Sequence, residues 1–165
     1  MNWLLHTVNV MSSILPVRET FGIRRMLANR GGIVVGKGTR ITHDVKFYDR
    51  YITIGNSVWL GMGTILASTD KGRIIIEDNV DIAPGCRIVS GTHQIGSSDR
   101  RAGPGAGMDI VIGRGTWIGA SSCILPGAFI GPGSIVAAGS VVTAGDYPPN
   151  TLLAGVPASA KRVLP

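Results

Sequence analysis

Four consecutive hexapeptides between residues 112 and 135 decide the fold of this chain. They read Ile112-Gly-Arg-Gly-Thr-Trp117, Ile118-Gly-Ala-Ser-Ser-Cys123, Ile124-Leu-Pro-Gly-Ala-Phe129 and Ile130-Gly-Pro-Gly-Ser-Ile135. Each begins with isoleucine, and three of the four carry glycine at the fourth position, where a tight corner requires a positive φ. A corner every six residues excludes a helix. The repeat therefore predicts short straight strands joined by corners.

The same frame extends in both directions from this stretch. It begins upstream at Val35, Ile41, Phe47, Ile54, Leu60, Leu66, Ile76, Ile82 and Ile88, and it continues at Val136 and Val142. The first position is apolar in all fifteen hexads, which predicts that it points inward everywhere. The register slips by one, four and eighteen residues, always between complete sets of three hexads. Three hexads therefore make one triangular turn, and five turns stack with a strand spacing of about 4.8 Å.

Composition agrees with one globular domain. The chain has 165 residues, is 44% hydrophobic and has only 16% charged residues, which excludes intrinsic disorder. Two cysteines are too few for a disulfide scaffold, and no apolar run reaches the roughly 18 residues of a membrane span. A reduced, cytoplasmic chain is the simplest interpretation. The net charge of +6 suits a phosphate-bearing cofactor, an anionic membrane surface or nucleic acid.

Four short motifs accompany the repeat. They are Ser90-Gly-Thr-His93, Trp117-Ile-Gly119, Gly139-Ser-Val-Val-Thr143 and Ala154-Gly-Val-Pro-Ala158. With these motifs the chain resembles the hexapeptide-repeat acyltransferases, which include the galactoside, maltose and capsule-sugar acetyltransferases. The resemblance implies an all-β, left-handed parallel β-helix with a short N-terminal helical segment and a protruding loop. It divides the chain into an N-terminal helical cap (1–32), the β-helix (33–147, with its loop at 94–109) and a C-terminal tail (148–165).

The N-terminal segment has helical character. Its apolar residues from Trp3 to Leu15 are roughly helically spaced, Pro16 ends that stretch, and a second short helix is expected around 18–29. Basic side chains are frequent in this second helix (Arg18, Arg24 and Arg25). Two interpretations follow: the segment caps the open end of the prism, or residues 1–30 make a peripheral contact with an anionic membrane at its inner face.

By its position alone His93 would be an ordinary polar surface residue, and the family resemblance makes it the candidate catalytic residue. It occupies the outward sixth position of a hexad, directly before the eighteen-residue interruption, whose segment 94–108 is rich in Gly, Ser and Arg. Such a long loop is more often functional than not, although a glycine content this high predicts little internal rigidity. The resemblance implies that His93 acts as general base and that a backbone N–H near Gly119 or Ala120 meets the oxyanion. Cys123 has no histidine near it in sequence, so no thiol nucleophile is expected.

The remaining site residues come from the resemblance. It implies acetyl coenzyme A as co-substrate, bound between neighbouring prisms of a homotrimer, with the matching positions Trp117, Gly119, Ala120, Ala138 and Thr143. Lys161 and Arg162 are candidates for the coenzyme phosphates, because Ala144 and Ser159 stand where the family often has basic residues. Alternatively, these two residues belong to a solvated tail. The three histidines of the chain (His6, His43 and His93) lack the spacing of a zinc site, so no metal is expected.

The acceptor is less defined. An Asn-x-Asn segment of the sugar acetyltransferases is replaced by Gly63 and Ile65, but the acidic residue after it is retained as Asp70. Arg100 and Arg101 are candidates for binding an acidic or phosphorylated acceptor, since a guanidinium holds a carboxylate or phosphate in a fork. Alternatively, the two are plain surface charges. The favoured function is O-acetylation of a sugar of a capsule, exopolysaccharide or lipopolysaccharide precursor. The alternatives are N-acetylation of an amino-sugar nucleotide and an inactive scaffold; a nucleic-acid partner is not expected.

Overall fold

Two short helices precede a long coil of very short strands. The structure, a computed structural model, describes residues 3–16 and 20–165. The helices are α1 (Trp3–Ile14) and α2 (Phe21–Arg30). Arg18, expected in the second helix, lies outside the described residues.

The strands form the three faces of a triangular parallel β-helix. Face one contains β1 (Val34–Val35), β4 (Ile52–Ile54), β7 (Ile74–Ile76), β12 (Ile110–Ile112), β15 (Ala128–Ile130) and β18 (Gly145–Tyr147). Face two contains β2 (Arg40–Ile41), β5 (Trp59–Leu60), β8 (Asp81–Ile82), β13 (Trp117–Ile118), β16 (Ile135–Val136) and β19 (Thr151–Gly155). Face three contains β3 (Lys46–Tyr48), β6 (Ile65–Ala67), β9 (Arg87–Val89), β14 (Cys123–Ile124) and β17 (Val141–Val142).

Two antiparallel additions complete the architecture. A hairpin of β10 (Gly91–Ile95) and β11 (Ala102–Gly107) projects between the third and fourth turns, and β20 (Ala158–Val163) folds back on β19. The five predicted turns are present, and β18 and β19 begin a sixth. Residues 148–165, assigned to a tail from the sequence, thus supply two strands; the domain division itself stays a prediction.

The core is a column of aliphatic side chains along the axis of the prism. Every first-position residue of the fifteen hexads is buried, with at most 8% of its surface exposed. Parallel pairing places Ile54, Ile76 and Ile112 directly above one another. The predicted inward position is confirmed, because each slip of the register falls outside the strands and leaves every apolar residue on the same side.

Serine or threonine occupies the fifth position of several hexads beneath the corners. Their hydroxyls donate to carbonyls of the following turn, as Ser122 does to Ala137 O (3.0 Å) and Ser134 to Pro148 O (3.2 Å). Burying these hydroxyls is therefore inexpensive, because each one has a partner. The corners themselves take positive φ, for example 75° at Gly85.

The N-terminal helices cover the open edge of the first turn. Asn9 of α1 donates from Nδ2 to Phe47 O (2.8 Å) and accepts from Phe47 N–H at Oδ1 (2.9 Å). Asn29 of α2 accepts from Val35 N–H in the same manner (3.1 Å). The two amide side chains thus replace the peptide groups of a missing turn and satisfy an otherwise free strand edge.

Arg24 joins the two helices rather than facing solvent. Only 2% of it is exposed, and Nη2 donates to the carbonyls of Leu15 (2.9 Å) and Pro16 (3.0 Å), just beyond the end of α1. Burial lowers the pKa of its guanidinium, and the surrounding carbonyls compensate for the lost water. This arginine is therefore not available to a membrane surface. Neither described helix is long and apolar enough to span a bilayer.

Candidate functional site

The protruding loop predicted after His93 is a β-hairpin. His93 on β10 lies opposite Gly105 on β11, and the pairing becomes irregular between His93 and Ile95. The glycines of β11 permit close approach instead of flexibility: a Cβ on Gly103 would lie 2.8 Å from Gln94 O. The expectation of a segment with little internal order was wrong, because backbone pairing between the two strands orders it.

The hydrogen bond of the His93 ring determines which of its two nitrogens carries the hydrogen. Its ring is exposed, and Nδ1 lies 2.9 Å from Gly103 O. A carbonyl oxygen can only accept, so Nδ1 carries the hydrogen and the lone pair of the neutral ring is at Nε2. The side chain is thus held by one nitrogen and presents a base at the other.

A short turn from the preceding coil supports the base of the hairpin. It spans residues 69–72, where Thr69 and Gly72 form an isolated antiparallel bridge. Ser90 Oγ donates to Gly72 O (2.6 Å), and Lys71 Nζ donates to Gly105 O (2.7 Å) across the hairpin. The segments inserted at the four-residue and eighteen-residue slips of the hexad register therefore contact each other.

These two insertions enclose a pocket of about 310 Å³. Its lining consists of Thr69, Asp70, Lys71, Gly91, Thr92, His93, Gly105 and Ala106. Asp70 and His93, two residues predicted separately, thus share one pocket. Lys71 was missed from the sequence, where a lysine after an aspartate looks like any exposed charge.

Arg100 and Arg101 are not among the residues that line this pocket. Both are exposed near the tip of the hairpin, and Arg101 Nη1 donates to Gly96 O at 3.4 Å. The structure thus places the two guanidinium groups further along the hairpin than the catalytic candidate.

The candidate coenzyme residues lie mainly on face two and just beyond it. Trp117 is 54% exposed at the start of β13, and Gly119 and Ala120 follow this strand. Gly119 is required by packing, since a Cβ there would lie 2.5 Å from Ala138 N. Thr143 follows β17 on face three, and its Oγ lies 3.5 Å from the Tyr147 hydroxyl.

The two candidate oxyanion donors differ in the structure. Gly119 N–H donates to Val136 O (2.8 Å) and is therefore committed to the sheet. Within residues 3–16 and 20–165, the N–H of Ala120 has no hydrogen-bond acceptor. Ala120 is thus the donor that remains available for an oxyanion.

Lys161 and Arg162 are exposed on β20, at the C-terminal end of the prism. Lys161 Nζ donates to Ser159 Oγ (2.9 Å), which leaves two of its three protons for other acceptors. These charges lie on an ordered strand.

The thiols do not suit nucleophilic catalysis. Burial raises the pKa of Cys86 and of Cys123, which keeps both protonated near neutral pH. Cys86 donates to Gly119 O (3.2 Å). Among the described residues, no group of three or more His, Cys, Asp or Glu side chains could hold a metal ion.

His93 and the candidate coenzyme residues on face two lie on opposite sides of one prism. His93 follows β9, at the edge where face three gives way to face one, whereas Trp117 and Ala120 belong to face two and its end. In a triangular prism the edge between faces three and one is opposite face two. A single chain therefore cannot bring His93 and the face-two residues together.

Stacked turns of parallel hexapeptides, interrupted by a histidine-bearing hairpin, define the left-handed β-helix of the hexapeptide-repeat acyltransferases. The family described as bacterial transferase hexapeptide (six repeats) matches residues 109–144. In fold and in sequence the chain is similar to the hexapeptide-repeat acyltransferases, as its sequence predicts.

Individual relatives agree with this assignment. Galactoside O-acetyltransferase of Escherichia coli (strain K12) is 36% identical over 129 residues, covering 78% of this chain and 62% of that protein. The crystal structure of a maltose O-acetyltransferase from Clostridium difficile 630 matches 99% of this chain and 86% of its own, with a TM-score of 0.87 and 27% identity. A galactoside acetyltransferase in complex with coenzyme A matches 99% and 80%, with a TM-score of 0.85 and 28% identity. The chain spans 41% to 62% of the length of six curated relatives.

Proposed function

We propose that this protein transfers the acetyl group of acetyl coenzyme A to a hydroxyl group of a sugar, on a capsule, exopolysaccharide or lipopolysaccharide precursor. The observation that carries the proposal is the oriented imidazole of His93, whose Nε2 is left as a free base beside a polar pocket. The galactoside and maltose O-acetyltransferases among its relatives support a sugar hydroxyl as acceptor.

The reaction is a direct transfer without a covalent enzyme intermediate. Nε2 of His93 takes the proton of the acceptor hydroxyl while the hydroxyl oxygen attacks the thioester carbonyl carbon. The new C–O bond forms, the C–S bond breaks, and the proton leaves on the thiol of coenzyme A. The N–H of Ala120 donates to the carbonyl oxygen as negative charge develops there.

Binding is divided between the faces of the prism. Trp117 packs against the coenzyme, and the small residues Gly119, Ala120 and Ala138 leave a narrow groove for its pantetheine arm. Thr143 follows β17 at the edge that carries His93 and contacts the coenzyme from the neighbouring chain. Lys161 and Arg162 meet its phosphates. Asp70 accepts hydrogen bonds from acceptor hydroxyls beside His93, and Arg100 and Arg101 bind an acidic part of the acceptor.

The active unit is a cyclic homotrimer with three equivalent sites between subunits. A site needs His93 on one prism edge and Trp117 with Ala120 on the opposite face, so two chains must contribute to each site. Threefold closure gives every chain the same two contacts. Because acetyl coenzyme A is supplied in the cytoplasm, we place the reaction there.

The test is acetyl transfer to a panel of sugars and sugar nucleotides, with products identified by mass spectrometry. We expect His93→Ala to lower turnover by about 10²- to 10⁴-fold, the usual contribution of a general base. The melting temperature should not change, because the ring is exposed and makes one hydrogen bond.

His6→Ala is the matched control, since His6 is an exposed histidine on α1 and should retain full activity. Wild-type turnover by the His93 variant would contradict the mechanism. Acetylation of amino groups alone would replace the hydroxyl acceptor with an amine.

A further inference from the structure

A second groove lies on face two, away from the His93 pocket. It has a volume of about 390 Å³ and is lined by Trp59, Asp81, Ile82, Ala83, Pro84 and Trp117. Neither Trp59 nor Asp81 has a role in the reaction described above. Two partly exposed tryptophans thus line one groove.

The register of face two determines how these side chains are spaced. Trp59, Asp81 and Trp117 are direct neighbours on three successive strands. With about 4.8 Å between strands, the backbones of the two tryptophans are about 9.6 Å apart, with that of Asp81 midway. Side chains stand roughly perpendicular to a sheet, so the two indoles form walls on either side of the carboxylate.

Trp59 is supported on the side away from Trp117. The ring of Phe21, at the start of α2, lies 6.0 Å from the indole of Trp59, centroid to centroid, at a tilt of 54°. Because α2 covers the first turn and Trp117 lies in the fourth, Phe21 packs on the far side of the indole and its other face remains toward the groove. This support reduces the entropy lost when a ligand binds.

The carboxylate between the indoles is available to a ligand. Asp81 is exposed, and within residues 3–16 and 20–165 no side chain pairs with it. An ionised carboxylate only accepts hydrogen bonds and repels phosphate. The groove therefore suits a ligand that has ring C–H surfaces on both sides and hydroxyl donors at one edge.

The width of the groove selects a saturated ring. A flat base between two indoles needs about 7–8 Å, which is twice the contact distance between carbon atoms. The strand separation of about 9.6 Å, with side chains perpendicular to the sheet, leaves roughly 2 Å more, which suits the thickness of a puckered pyranose. Its C–H bonds would face both indoles, and two adjacent hydroxyls would donate to Asp81.

We propose that the Trp59–Asp81–Trp117 groove is a carbohydrate subsite that holds one neutral pyranose ring between two indoles. That this ring belongs to the acceptor rests on the proposed function, in which face two of one chain meets the His93 edge of the next. Trp117 then separates the sugar from the coenzyme, and Trp59 and Asp81 determine which sugar is accepted.

Tryptophan fluorescence tests this directly, without turnover. The chain has three tryptophans, so Trp3→Phe leaves only the two in the groove as reporters. This variant is titrated with a panel of methyl pyranosides and, separately, with adenosine 3′,5′-bisphosphate as the probe for a flat base with phosphates.

At least one pyranoside should quench the signal saturably, and Asp81→Asn in the same background should weaken that affinity about tenfold. Trp59→Ala should abolish binding, with Asp81→Asn as the variant that leaves the packing against Phe21 intact. No saturable response to any pyranoside, equal affinity in Asp81→Asn, or binding of only the bisphosphate would overturn the subsite.

Acetyl transfer distinguishes this proposal from the proposed function. With an active acceptor, Asp81→Asn should raise the KM for the sugar about tenfold and leave the KM for acetyl coenzyme A unchanged. An active enzyme whose sugar KM does not respond would refute the subsite and leave the transferase standing. Sugar binding without any acetyl transfer would support the subsite and contradict the proposed transferase activity.

Discussion

Lys71 connects the two insertions that enclose the His93 pocket. Its ammonium donates to Gly105 O, and Gly105 lies directly opposite His93 in the hairpin. A charge-assisted bond at this point holds β11 against the turn at residues 69–72. His93 depends on the same strand, because its Nδ1 bonds to Gly103 O.

Lys71→Met should loosen the hairpin without unfolding the prism. The side chain is exposed, so we expect roughly 1 kcal/mol of local stability to be lost, or about fivefold faster amide exchange over β10 and β11. Exchange over face one should be unchanged. Lys71→Arg keeps a donor and should behave like the wild type. Equal exchange in the Met variant would show that this bond does not hold the hairpin.

Lys71 also shows where sequence-based prediction ends. The hexad frame predicts each inward residue, because burial repeats with the same period as the chain. It predicts where the long insertion begins, since that interruption stands out from the period, whereas the choice of His93 comes from the family resemblance. The contact from Lys71 to Gly105 joins residues 34 apart within two irregular segments. Both segments lie outside the hexad repeat, so the repeat gives no basis for predicting that they contact each other.

At the scale of elements, the attachment of α1 to the first turn is sensitive to pH. Ser13 on α1 donates to Asp44 Oδ1 (2.8 Å), and Lys46 lies 3.4 Å from the same oxygen. The hydrogen bond from Ser13, and then the charge of Lys46, lower the pKa of Asp44 against the opposing effect of burial. The folded state thus binds a proton at Asp44 less readily than the unfolded chain does.

The lowered pKa of Asp44 predicts a loss of folding stability in acid. The contribution of Asp44 is complete above its unfolded pKa of about 3.9 and disappears as the pH falls through its lower folded value. Asp44→Asn should therefore flatten the decline in melting temperature between pH 5 and pH 3, measured by circular dichroism. Asparagine tolerates the φ of 57° at this corner.

Asp49→Asn is the matched control for this titration. Asp49 also has a positive φ, and its carboxylate accepts from the neighbouring Arg50 N–H instead of from α1. It should retain the wild-type decline. An Asp44 variant with that same decline would mean that the bond to Ser13 does not couple the helix to the first turn.

For the segment after His93, the predicted position is confirmed and the predicted lack of internal order is wrong. A protruding segment was predicted from the long interruption of the repeat and from the family resemblance, and its position was right. Its order was not predictable from composition, because glycine serves flexible linkers and closely packed strands alike. Only the pairing of β10 with β11 distinguishes the two uses.

At the scale of the whole molecule, the triangular cross-section is the basis of the proposed assembly. The edge that carries His93 and the face that carries Trp117 point in opposite directions on one prism. A site that uses both exists only where the edge of one chain meets the face of the next. In a cyclic trimer this contact occurs three times.

Mixed trimers test this arrangement. His93→Ala and Trp117→Ala each damage every site of a homotrimer, but a site between an intact His93 edge and an intact Trp117 face is undamaged. Random mixing of equal amounts of the two variants makes about one site in four intact. Activity should therefore recover to about a quarter of the wild-type value after the variants are unfolded and refolded together. The two variants mixed as preformed trimers should stay inactive until subunits exchange.

No recovery in refolded mixtures that sediment as trimers would place both residues of a working site on one chain. A fully active monomer in sedimentation would remove the need for a partner altogether.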